Sequence, residues 1–205
     1  TNITQMFWQV LTLRDHLWHA RNLQGKLTII RDPKGKKMTD GCMSLDSWGP
    51  PANKISSTGS AQFIAVNIAV DKQLAMLGQM EPDYLLTYPT NLSALIRESH
   101  RQEFHLTNLK QVRSLGEIVT PTLRAQCREA WGVNLVDSYS CQEVGYLALQ
   151  CPEHDHLHVQ SETIKLEVLD KYNQPCKPGE TGKVVLTSLH NFANPIIRYE
   201  IGDYA

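Results

Sequence analysis

Apolar and polar positions along the chain fall into three textures. In residues 4–19, Met6, Val10, Leu11, Leu13, Leu17 and Trp18 recur at mixed three- and four-residue spacing, which predicts a helix with one apolar face and Thr4 as its cap. Residues 26–31 read as a short buried strand, and the Pro-, Gly- and Ser-rich stretch 32–59 as a long loop. From Asp71 the pattern alternates, with helices over 72–79, 91–100 and 121–131 and strands over 84–87, 111–115 and 134–137. Such alternation predicts an α/β fold, a parallel sheet flanked by helices. Thr120-Pro121 marks a helix start and Gly132 its stop. Right-handed crossovers leave binding loops at the carboxyl ends of the strands, where Tyr88-Pro89, Gly116-Glu117 and residues 139–143 fall.

After Gly145 the texture becomes strand-like over 146–149, 158–159, 164–169 and 183–187. Ile164, Leu166 and Val168 alternate with Lys165 and Glu167, the two-residue period of a half-buried strand. A smaller antiparallel β subdomain is expected over 146–205, beside an α/β part over 1–145.

Composition narrows the partners. The 205 residues are 41% hydrophobic, and 20 basic against 21 acidic residues leave a net charge of −1. That balance gives no electrostatic reason to expect nucleic acid or an anionic membrane. No run approaches the apolar length of a membrane span, so a cytoplasmic protein is expected. Five irregularly spaced cysteines argue for reduced thiols over a disulfide framework, with Cys127 a small buried residue of a helix.

Two stretches carry the candidate chemistry: Tyr139-Ser-Cys-Gln-Glu143-Val-Gly145, and Ile197-Arg198-Tyr199-Glu200-Ile201-Gly202-Asp203. Together they resemble the signature of adenylate-forming enzymes. The residues between, Cys151-Pro-Glu-His-Asp-His-Leu-His158 and Thr187-Ser-Leu-His-Asn-Phe-Ala-Asn-Pro-Ile-Ile-Arg-Tyr199, are similar to the phenylacetate–CoA ligase branch. The resemblance implies ATP-dependent activation of a carboxylic acid, an aryl acid by preference, to an acyl-adenylate. The acyl group then passes to the thiol of CoA or of a carrier protein, and a homodimer stays open.

The resemblance also implies roles. Tyr139 lies against adenine and the α-phosphate, Glu143 is the catalytic carboxylate facing magnesium, and Asp203 takes the ribose hydroxyls. Ser140 stands where the family has Gly, and Gln142, whose amide can donate, where it has Ser or Thr. Gly116 and Glu117 match a segment lining the adenine pocket, and Tyr88 and Pro89 one that walls the acyl pocket. The family's phosphate loop and lysine-bearing C-terminal domain have no counterpart here, so the chain is expected to be a fragment of the large N-terminal domain, inactive by itself. Ser56-Ser-Thr-Gly-Ser60 reads as a plain loop.

Residue types leave three points open. Cys151, His154, His156 and His158 are either zinc ligands or a polar hairpin with solvated histidines. Arg198 is either a phosphate contact or a salt-bridge partner on a strand. A non-catalytic nucleotide-binding module, or a zinc-stabilised interaction module, is the alternative to an acid–thiol ligase.

Overall fold

The computed structural model describes residues 2–35 and 38–205. It divides into two compact units, one of His16–Ser138, the other of the described residues up to Asp15 with Tyr139–Ala205. In chain order the elements are α1 (Asn2–Trp18), β1 (Leu27–Arg31), β2 (Cys42–Leu45), α2 (Ala52–Ile55), β3 (Ala61–Ala65), α3 (Val70–Met80), β4 (Tyr84–Thr87), α4 (Pro89–Arg101), β5 (Gln111–Ser114), α5 (Pro121–Trp131) and β6 (Asn134–Val136). Then come β7 (Ser138–Cys141), β8 (Gly145–Gln150), β9 (Leu157–Val159), β10 (Ile164–Leu169), β11 (Lys183–Ser188) and β12 (Tyr199–Tyr204).

The His16–Ser138 unit is built on a six-stranded sheet of order β2-β3-β1-β4-β5-β6. Strands β3, β1, β4, β5 and β6 are parallel, and β2 runs antiparallel to β3 at the edge. The sheet is therefore mixed where a parallel one was expected, and β2 and β3 arise in stretches not read as strands. Register sorts the side chains into two faces. Ile30 and Ile64 are paired, as are Leu85, Val112 and Leu135, and all five enter one core with the inner faces of α3, α4 and α5. Leu27, Ala61 and Tyr84, also in register, face the other way onto Trp48 and Ala52. Helix α4 places Leu92, Leu95, Ile96 and Ser99 inward at helical spacing. Each such fully buried aliphatic side chain contributes about 1.5–3 kcal/mol.

The second unit holds two three-stranded sheets, β7-β8-β9 and β10-β11-β12. Pairing is antiparallel between β8 and β9 and throughout β10-β11-β12. Leu147, Ile164, Val184 and Leu186 form its core. Leu11 of α1 is buried against Tyr146 and Leu149, and Trp8 stacks on Tyr146 at 4.4 Å. Arg14 reaches Gln160 Oε1 at 2.7 Å and pairs with Glu162. The apolar face expected for α1 is not buried as a whole, since Met6, Val10, Leu17 and Trp18 are exposed. Thr4 lies inside this helix, so it is not the cap.

Candidate functional site

Tyr139 and Cys141 both turn inward from β7 and pack on the Leu147–Ile164–Val184–Leu186 core, as the two-residue strand period requires. At its outer end the Tyr139 hydroxyl donates to Asp203 Oδ2 at 2.6 Å. Burial first, and the neighbouring carboxylate second, push this phenol well above its ordinary value. Asp203 reaches it through an irregularity. Between the pairs Val185↔Glu200 and Lys183↔Tyr204, β12 advances further than β11, and Gly202 takes φ +89° within the bulge. A bulge re-aims side chains along an edge strand, and a residue with φ in this region is best a glycine.

Past Cys141 the chain turns through residues 142–144 into β8, so Gln142 and Glu143 sit exposed at a hairpin tip while Ser140 is half-buried. Gly145 closes the turn with φ +90°. Cys141, half-buried behind the tip, is held neutral chiefly by burial. An exposed carboxylate on a short hairpin is open to a cation that also takes phosphate oxygens, and magnesium needs no more than one or two carboxylates of that kind. Glu143 fits that demand.

In the His16–Ser138 unit, the ends of β4 and β5 come together. Tyr88 occupies the N-cap of α4, and Pro89, buried, is its first residue. Glu117 accepts from the Thr90 amide at 2.8 Å and from the Thr90 hydroxyl at 2.9 Å. Gly116, at φ +75°, lies under the Tyr88 ring: a Cβ there would be 3.7 Å from Tyr88 Cε1. One step along the edge is a residue that sequence reasoning passed over as a strand end. Asp137 accepts from the Ser114 hydroxyl at 3.1 Å and the Ser138 amide at 2.8 Å, and burial raises its pKa against those bonds. Its signal was an aspartate, unfavourable in strands, just before Tyr139.

The Cys–His run is brought side by side without enclosing a centre. Cys151 Sγ lies 3.6 Å from His154 Nδ1, and the rings of His154, His156 and His158 follow at 4.7 and 4.8 Å. Among the described residues no group of three or more His, Cys, Asp or Glu side chains can hold a metal ion. The set does not fit the closed four-donor shell of structural zinc. Arg198 pairs with Glu167 at 3.7 Å. Gly59 donates to Leu23 O at 2.8 Å and is tightly backed by the Gln24 and Gly25 carbonyls, while Ser56, Ser57 and Ser60 of the same loop are exposed. All five cysteines are free thiols. No helix of the described residues is long and apolar enough to cross a membrane.

The fold is similar to part of the fold of solved CoA ligases. A 2-hydroxyisobutyryl-CoA ligase in an open conformation, in complex with 2-HIB-AMP and CoA, matches 96% of the chain with 43% of its own at TM-score 0.74 and 18% identity. The anthranilate CoA ligase AuaEII, in complex with anthranoyl-AMP, matches 89% with 35% of its own at TM-score 0.63 and 17% identity. In sequence the chain is similar to phenylacetate-coenzyme A ligases. It is 27% identical to that of Pseudomonas putida over 139 residues, 65% of this chain and 32% of the relative, and 28% identical to that of Aromatoleum evansii over the same length. The match thus spans about a third of each curated relative's length. No protein-family model matches the chain.

Proposed function

We propose that this chain supplies the adenylate-binding part of an AMP-forming acid–thiol ligase acting on an aryl acid. The observation that carries the reading is the 2.6 Å bond between Tyr139 and Asp203, which unites the two motif halves in one folded unit. In the first half-reaction the acid's carboxylate oxygen attacks the α-phosphorus of ATP and pyrophosphate leaves. Asp203 accepts from the ribose hydroxyls, bonds strengthened by its charge, and the Tyr139 ring offers a flat face to the purine. On the same unit Ser140 and Gln142 are further polar contacts. Magnesium, when bound through Glu143, would offset charge gathering on the phosphate. In the second half-reaction the thiol of CoA, or of a carrier arm, attacks the acyl carbonyl and AMP leaves.

The test is ATP–pyrophosphate exchange on the natural full-length protein, screened with aryl and short aliphatic acids. Acid-dependent exchange, greatest with aryl acids, supports the reading. Exchange absent for every acid in folded protein points to a non-catalytic nucleotide-binding module.

A further inference from the structure

Glu117 belongs by position to the adenine-lining segment, yet both its carboxylate oxygens are taken by Thr90. One accepts from the Thr90 amide at 2.8 Å and the other from the Thr90 hydroxyl at 2.9 Å. Thr90 is the second residue of α4, a helix whose N-cap Tyr88 makes no side-chain cap and whose first turn has no acidic residue. The loop after β5 therefore provides what α4 lacks: an acceptor for an orphan amide and a negative charge at the positive end of the helix. The contact also ties together the residues on either side, because the Tyr88 ring rests 3.7 Å from the Cβ position of Gly116.

We propose that Glu117 is a positioning residue, a latch joining the loop after β5 to the start of α4. It holds Tyr88 against Gly116 and so fixes the wall of the acid pocket. The assignment rests on the reading of Tyr88 as that wall. Each Glu117 oxygen already accepts one hydrogen bond from Thr90, so any nucleotide contact through this carboxylate would be additional to the latch.

Two near-isosteric variants separate these roles. In Glu117→Gln the amide nitrogen cannot accept from Thr90, and Thr90→Val removes the hydroxyl donor while keeping shape. Acid-dependent pyrophosphate exchange on the full-length protein is expected to show the KM for the acid raised about tenfold in each, the scale of one hydrogen bond to a charged group. The KM for ATP stays within about twofold, and the double variant is no worse than Glu117→Gln, since the two act through one contact. A merely structural role would shift all kinetic constants together. Hydrogen exchange at the Thr90 amide gives an activity-independent readout and should quicken about tenfold in Glu117→Gln. The proposal is overturned if that amide is unaffected, or if Glu117→Gln raises the KM for ATP while Thr90→Val is silent. Absence of wild-type exchange with every acid, with the amide still responding, upholds the latch and overturns the adenylation reading alone.

Discussion

Tyr139 and Asp203, 64 positions apart, share a hydrogen bond in which the phenol donates to the carboxylate. Burial and that carboxylate both favour the neutral phenol, so ionising it is harder in the folded protein than in the unfolded chain. Stability from this pair is therefore complete below the ordinary tyrosine value of 10.0 and is lost as pH climbs beyond it. Tyr139→Phe should cost about 1 kcal/mol in urea unfolding at about pH 8. The gap between wild type and variant should narrow at about pH 10.5, and a gap that widens there would sink the assignment.

Glu143 stands exposed at the tip of the β7–β8 hairpin, where its removal leaves no cavity. Glu143→Ala should leave the melting temperature within about 1 °C, as surface changes do. Pyrophosphate exchange should fall about 100-fold or more, the scale of losing one electrostatic element that would act on the transition state, here the ligand that would hold magnesium. Unchanged exchange in the folded variant would remove Glu143 from the reaction.

Gly145 has φ +90°, and a Cβ built on it would lie 2.7 Å from Trp8 Cε3. Gly145→Ala is expected to destabilise by about 1–3 kcal/mol, from backbone strain and the clash together. Adding Trp8→Ala should relieve the clash but not the strain. Denaturant unfolding of the single and double variants measures the two parts, and full recovery would show that the backbone tolerates alanine.

Cys127 is wholly buried in α5, and desolvation pushes its thiol up to about 12. Thiolate is the reactive form, so a thiol reagent at about pH 8 should spare Cys127 and label half-exposed Cys151, while half-exposed Cys42, Cys141 and Cys176, whose thiols burial also raises, label more slowly. Mass spectrometry over time should show Cys127 modified only as fast as the protein opens. Early modification in folded protein would contradict its burial.

Local chemistry was legible where it decided structure by itself. Thr120, Pro121 and Gly132 bracket α5 in the sequence, and the Thr120 hydroxyl does accept from the Leu123 amide at 3.1 Å while Gly132 takes φ +70°. Ile164, Leu166 and Val168 likewise announce β10. Strands β2 and β3 were hidden because Cys42–Leu45 lies within a Pro-, Gly- and Ser-rich stretch and Ala61–Ala65 just after it, and Ala, Gln, Met and Ser carry little strand preference. Pairing supplies what composition does not: β3 is fixed by its neighbours β1 and β2. The buried side of α1 depends in the same way on distant β8. Tyr139, Glu143 and Asp203 were singled out by motif likeness alone, but the bond joining Tyr139 to Asp203 sits beside a bulge around Gly202 that no motif announced. The Glu117–Thr90 contact left no trace, since neither residue type is unusual in its place.

Helix α1 leaves the ribosome well before what it packs on: Arg14 and its acceptor Gln160 are 146 positions apart. At about 5–20 residues per second, that interval lasts roughly 7–30 s. For most of it the helix, with Trp8 and Leu11, has none of its β8 partners. Strands β1 to β6, by contrast, have every pairing partner once Val136 has emerged. Synthesis thus imposes an order that dilution from denaturant does not: the parallel-rich sheet is complete while α1 still waits, and anything that holds exposed apolar helices has a window of seconds in which to act on it.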